Sequence, residues 1–295
     1  KVRIIRLEHN RGPAVARNRG VDRARGKFVV FLDSDVELFL DTLSNLAKIY
    51  IDDPDIVAVT GVWVKEQRSK DFFPNFKALR DWSYWINERD KSGYYYLFST
   101  RIASIKKSVF QRLGGFDEKY PAPLVEDIEL TYRIARRYAI IFAPQVRVRH
   151  EFEQFWPIAK KYFLRAYYWT RLYQTRKKFD PVATTAQEAL TTISGVLAVL
   201  FGIVSLLLLP TLPIIQNGEW RMENGVLSWL SLYPSIILYS TFFILAFHLF
   251  LIRKFLVFMY REKGLGFAVR GFFTGLVLYC FIFAGAFAGR LKFGK

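Results

Sequence analysis

Cysteine is nearly absent from this chain of 295 residues; Cys280 is the single one. An internal disulfide is therefore excluded, and because Cys280 lies in an apolar run it reads as a packing residue. Acidic residues are short as well, 26 Asp and Glu against 43 Lys and Arg, which leaves a net charge of +17 at pH 7. Such an excess fits nucleic acid or an anionic membrane surface, and the placement of the basic residues has to decide between them. Charge of either sign is missing from three late stretches, 189–215, 230–252 and 271–289. What fills the chain instead is apolar: 52% of residues, with 17% aromatic, is rich for a purely soluble protein.

The most informative stretch is 28–35, Phe-Val-Val-Phe-Leu-Asp-Ser-Asp, an uninterrupted apolar run that ends in two carboxylates. The run predicts a buried strand. In open α/β sheets ligands bind beyond the carboxyl ends of the strands, which puts Asp33 and Asp35 where a substrate is held. If the strand alternation continues through Ser34, both carboxylates face one way and share a hard cation, Mg²⁺ or Mn²⁺, that also touches a diphosphate. A plain turn rich in Asp and Ser is the alternative for this dipeptide spacing alone.

Upstream stands Asn10-Arg-Gly-Pro-Ala-Val-Ala-Arg17-Asn18-Arg-Gly20, and downstream stand Gly114-Gly-Phe-Asp-Glu118 and Glu126-Asp127-Ile-Glu129. In order and approximate spacing these blocks resemble the catalytic domain of family 2 glycosyltransferases, over about residues 1–150. The resemblance implies an α/β domain of GT-A type with a doubly wound sheet. It implies that Asp33 and Asp35 serve a divalent metal, Mg²⁺ or Mn²⁺, and the donor, a nucleotide-diphospho-sugar. It also implies that Glu126 or Asp127, with Asp127 preferred, takes the acceptor proton in an inverting transfer. Arg17 is expected against the donor diphosphate or base, and His150 to complete the metal site with the two carboxylates. Asn18 is read as a turn former, and Glu129 as structural. The family domain normally opens with two earlier strand and helix units that hold the nucleobase, so the resemblance implies a partial domain here.

Between these blocks, 2–7 reads as a strand, 43–50 as a helix, 57–64 and 98–106 as strands, and 107–113 as a short helix closed by Gly114-Gly115. The aromatic and charged stretch 71–91 is a candidate acceptor segment, although core aromatics suit Trp82, Tyr84 and Trp85 better. His150 follows an alternating strand, Val146-Arg-Val-Arg149. His9 and His248 suggest only packing or exposure.

From 155 to 179 there is no acidic residue, while Lys160, Lys161, Arg165, Arg171, Arg176, Lys177 and Lys178 alternate with aromatics. Trp156, Ala159, Phe163, Ala166, Tyr167, Thr170 and Tyr173 recur at helical spacing, as in a helix lying in a membrane interface. Such a helix could also serve nucleic acid. The three uncharged runs that follow favour the membrane, since each is near the roughly 20 residues a bilayer crossing needs. The segment 253–270, basic with one Glu, reads as a cytoplasmic loop, which sets the catalytic domain on the same side. Under three crossings the basic tail 290–295 would lie outside. The Gly285-x-x-x-Gly289 and Gly271-x-x-x-Gly275 spacings mark close helix approach.

The expected organisation is a partial GT-A domain over 1–152, a basic interfacial helix over 153–182, and about three membrane helices over 183–295. The expected activity is metal-dependent transfer of a sugar to a membrane lipid or lipid-linked glycan in the cell membrane, as in envelope polysaccharide assembly, with no nucleic-acid partner. A processive polysaccharide synthase is the near alternative, although the Q-x-x-R-W motif of such synthases reduces here to Arg165 and Trp169. A non-catalytic, membrane-anchored binding protein is the alternative of another class.

Overall fold

The computed structural model describes residues 3–85, 96–120, 124–177, 179, 185–208, 215–216, 219–220 and 232–293. The chain divides into two units, Lys1–Thr185 with Gly285–Lys295, and Ala186–Ala284.

In the first unit the apolar run forms β1 (Phe28–Leu32), followed by β2 (Val36–Leu38), β3 (Ala58–Trp63), β4 (Ile102–Lys106) and β5 (Ile140–His150). The sheet order is β1-β4-β3-β5-β2. Among the described strands of this sheet only the β3/β5 pair is parallel; β1/β4, β3/β4 and β2/β5 are antiparallel. The α/β class is as expected, and the sheet is mixed. β1 and β2 stand at opposite ends of that order, four strand spacings or roughly 19 Å apart if the sheet were flat. Yet three residues, Asp33 to Asp35, join them, a chain reach of at most about 14 Å. The sheet must therefore curl, and the curl brings the end of β1 toward the end of β5. At Gly61 the β3/β5 register shifts, and a Cβ there would collide with the Val146 carbonyl, so the bend needs glycine.

Helices cover both faces. On one side α1 (Pro13–Arg23), α4 (Lys107–Arg112) and α5 (Glu126–Ala135) bury Ala14, Val21, Phe110, Leu130 and Ile134 against Val29, Phe31 and Ile105. On the other, α2 (Thr42–Asp52) and α3 (Phe72–Ser83) supply Leu46, Tyr50 and Ala78, which meet Val59, Trp63, Val146 and Val148. The core reading of the aromatic stretch holds for Trp85, which is buried and packs edge-on to Trp63; 86–91 lies outside the described residues. The strand expected at 2–7 is not formed: 3–7 is unpaired, with Ile4 and Ile5 exposed, because no described strand lies beside it to complete a ladder.

The basic aromatic stretch is one helix, α6 (Phe155–Arg176), closed by Lys177 in the left-handed region at φ 55°. Ala159, Ala166 and Thr170 of the predicted stripe are buried, while Trp156 is exposed. Gly285 and Gly289 pack on α6: a Cβ on Gly285 would collide with the Phe163 carbonyl, and one on Gly289 would stand 2.6 Å from that of Tyr167. The predicted close approach at Gly285 and Gly289 is thus made, whereas Gly275 meets only Tyr279 of its own helix.

The second unit holds α7 (Ala186–Leu208), α8 (Leu232–Lys263) and the larger part of α9 (Leu265–Phe293). All three helices are long and apolar enough to cross a membrane. Ser194 Oγ lies 2.9 Å from His248 Nδ1 and Ser205 Oγ lies 2.8 Å from Thr241 Oγ1, two polar pairs that join α7 to α8. The segment 253–270 is not a loop. Its residues continue α8 and begin α9, interrupted only by Gly264 at φ 86°, because nothing else in it breaks a helix.

Candidate active site

Four motif blocks converge on α1. Arg17 donates from Nη2 to Asp33 Oδ1 at 2.7 Å and from Nη1 to Glu126 Oε1 at 2.6 Å, so one guanidinium bridges the turn after β1 and the start of α5. Burial opposes its charge, but Glu126 and Asp33 outweigh this and raise its pKa. Arg17 was expected against a diphosphate or base; here it holds two carboxylates.

Asn18, read from sequence as a turn former, is a long-range clamp. Its Oδ1 accepts the Phe116 N–H at 2.9 Å, and its Nδ2 donates to the Phe116 carbonyl at 2.9 Å and to Glu118 at 3.1 Å. Gly114 and Gly115 sit at φ 85° and 70°, and a Cβ on Gly115 would stand 2.6 Å from the Asn18 Oδ1. The Gly-Gly-Phe-Asp block thus needs its glycines to reach the Ala-Arg-Asn block.

Asp33 and Asp35 do not follow strand alternation, because 33–35 is the turn between β1 and β2. Asp33 turns to Arg17 while Asp35 Oδ2 lies 3.4 Å from His150 Nε2. His150 is delivered by the β2/β5 ladder, where it stands opposite Val36. Burial, followed by the charge of Arg101, pushes its pKa down to about 4, with Asp35 opposing. The ring is therefore neutral near pH 7, the form in which an imidazole binds a metal. Its Nδ1 is buried without a hydrogen-bond partner among the described residues. One carboxylate and one neutral imidazole are a fitting pair of donors for Mn²⁺ or Mg²⁺, with phosphate oxygens and water to fill the rest. Among the described residues no group of three His, Cys, Asp or Glu gathers at one point.

Glu126 is 2% exposed and fully committed: Oε1 accepts from Arg17 and Oε2 from the Leu124 N–H at 2.9 Å. Asp127 differs. One oxygen accepts the Ile128 N–H at 2.8 Å, and Oδ2 has no hydrogen-bond partner among the described residues. Burial, then the charge of Glu126, raises its pKa to about 7, against the pull of Arg165 and Arg17. A carboxylate poised there can accept a proton at neutral pH. Glu129 instead pairs with Arg133, which also donates to the Leu113 carbonyl and fastens α5 to the end of α4.

A buried charge cluster that no sequence motif marks acts on His150. Lys77 of α3, 2% exposed, pairs with Asp81, and Arg101 approaches Asp81 at 3.7 Å while stacking 4.5 Å above Trp63. Burial, relieved in part by Asp81, lowers the Lys77 pKa to about 7. The available signal was the four-residue spacing of Lys77 and Asp81 inside an apolar helix.

With this geometry established, known proteins offer a comparison. Residues 1–113 match the model for glycosyl transferase family 2. Over 164 residues the chain is 27% identical to the glucosyl-dolichyl phosphate glucuronosyltransferase of Haloferax volcanii, covering 49% of each chain. Over 69 residues it is 39% identical to the succinoglycan biosynthesis protein ExoO of Rhizobium meliloti, covering 21% of this chain and 20% of that one. The chain thus spans between a fifth and a half of the length of these relatives. A solved mannosyltransferase from Pyrobaculum calidifontis, in complex with GDP-Man and Mn²⁺, aligns over 97% of this chain and 68% of its own, at 16% identity and a TM-score of 0.46.

Proposed function

From the match of residues 1–113 to glycosyl transferase family 2 we propose that this chain is a member of that family and moves a sugar from a nucleotide-diphospho-sugar to a membrane lipid or lipid-linked glycan, with inversion. The observation that carries the proposal is the Arg17 bridge, which gathers Asp33 and Glu126 beside Asp127. Glu126 has both oxygens engaged, so its role is to orient Arg17 and the start of α5. Asp127 keeps an oxygen for the acceptor hydroxyl and takes its proton as the new glycosidic bond forms. Asp35 and His150 would hold a divalent ion, which when bound offsets the negative charge on the departing nucleoside diphosphate. Asp33 and Arg17 line the same end of β1, where Arg17 can exchange a carboxylate for a phosphate oxygen. The α6 helix and the three apolar helices keep the domain at a bilayer, in the plane of a lipid acceptor.

The test is Mn²⁺-dependent binding of a panel of nucleoside diphosphates to the detergent-solubilised protein, beside Asp35→Asn and His150→Ala. One nucleotide should bind with metal, and its affinity should fall about tenfold or more in each variant, because each removes one of the two side chains that would hold the ion. Binding that ignores both metal and variants would sink the donor assignment.

A further inference from the structure

The Lys77 cluster, beyond the influence of its charges on His150, touches none of the groups assigned to the chemistry above, yet it carries an imbalance of charge. Lys77 and Arg101 share one carboxylate, Asp81, whose own pKa is held down by those two cations despite burial. Both cations are packed rather than solvated: Lys77 lies 5.0 Å from the Phe152 ring centre and 5.1 Å from that of Tyr162, and Arg101 lies over Trp63 and, at 5.6 Å, Phe152. A third cation, Arg165 of α6, acts electrostatically on Lys77, on Asp81 and on Asp127 alike. Arg165 makes no hydrogen bond, ion pair or ring contact with a described residue, whereas Arg171 and Arg176 of the same helix lie over the rings of Tyr120 and Tyr132. Lys77 and Arg101 thus share Asp81, while Arg165, within electrostatic reach of Asp81 and of the candidate base Asp127, is left without an ion pair among the described residues, so the basic groups have charge for an anion to satisfy.

We propose that Lys77, Arg101 and Arg165 form a phosphate site for the acceptor, gripping the phosphodiester that links a lipid to its first sugar. This rests on the glycosyl-transfer reading and names its acceptor class. Asp127 decides between acceptor types. A free lipid phosphate attacks through an oxygen that is already anionic and needs no base, whereas a sugar hydroxyl gives up a proton, and a carboxylate poised near neutrality takes it. The phosphate is therefore the handle and the sugar hydroxyl the nucleophile. Arg165 and Arg101 offer planar guanidinium forks to the phosphate oxygens, and Lys77 an amine that a bound anion holds in its charged form.

The experiment compares binding of dodecyl glucosyl phosphate, dodecyl glucoside and inorganic phosphate to the full chain in neutral detergent, by isothermal calorimetry. Arg165→Gln is the primary variant, since Arg165 holds no described part of the fold together, and Lys77→Met, which keeps the apolar packing, is the second. The phosphodiester should bind at least about tenfold more tightly than the glucoside, and that advantage should vanish in both variants while nucleoside diphosphate binding with Mn²⁺ stays as in the parent. Equal binding of phosphodiester and glucoside overturns the proposal, as does an advantage that survives both variants. If inorganic phosphate binds as tightly as the phosphodiester, the site is for a free anion and the lipid assignment fails. If nucleoside diphosphate displaces the phosphodiester and loses affinity in the variants, the cluster belongs to the donor. Nucleotide binding in the parent is read separately, so failure of the donor assignment is visible by itself.

Discussion

Arg17 faces two carboxylates with a single guanidinium, and the less exposed of them, Glu126, is 2% accessible. Removing the cation leaves that charge buried without its counterion, which costs about 3 kcal/mol or more. Arg17→Gln should therefore lower the midpoint of thermal unfolding. Arg17→Lys should restore little, because an ammonium lacks the fork that reaches both partners. Arg17→Gln combined with Glu126→Gln should recover part of the loss, and a double-mutant cycle by thermal melts measures the coupling. At the neighbouring carboxylate the prediction concerns pH. The raised pKa of Asp127, about 7, means that its proton is held below that pH and released above it. A base must be unprotonated to act, so kcat/KM should rise through pH 7 and fall on acidification. Asp127→Asn should lower turnover by about 10² or more and flatten that limb. A pH profile of single-turnover transfer reads both.

Among the elements, α1 is the hub. It opens on Pro13, after Gly12 at a positive φ, and its turn carrying Arg17 and Asn18 touches the β1 turn, α5 and the Gly-Gly-Phe-Asp block together. The other tight joint is between α6 and the end of α9. Backbone carbonyls of Phe163 and Tyr167 approach Gly285 and Gly289 so closely that no side chain fits. Gly285→Val should push the helices apart at a cost of about 1–3 kcal/mol, as overpacking does elsewhere. Gly275→Val, where only Tyr279 of the same helix lies within reach, should cost far less. Thermal melts of the two variants in one detergent make the comparison.

For the whole molecule, the same joint bears on orientation. Three helices are long enough to cross a bilayer, and a count of three would send the basic tail to the far side. Yet Gly285–Lys295 belongs to the unit that contains α6 and the sheet, and Phe293 packs at 5.0 Å on Tyr167. If α6 lies in a membrane interface, a chain end seated on it lies on the same side of that membrane. Tags at the two ends of the chain should thus be cleaved together, or protected together, when sealed vesicles are treated with protease.

Taken alone, the sequence determined what local pattern can carry. An apolar run ending in Asp33 and Asp35, the Ala-Arg-Asn and Glu-Asp blocks, and three uncharged stretches of bilayer length were legible because each is a short-range signal: a hydrophobic period, a spacing, a length. The tertiary structure decided the partners. Nothing in spacing says that Asp33 turns to Arg17 while Asp35 turns to His150, since that depends on 33–35 being a turn in a curled sheet rather than more strand. Asn18 reaches a loop 98 residues away, and Lys77, Asp81 and Arg101 meet only because α3 lies against β3 and β4. Long-range pairing of polar groups is settled by which surfaces the core brings together, and the core is a property of the folded chain, not of any stretch within it.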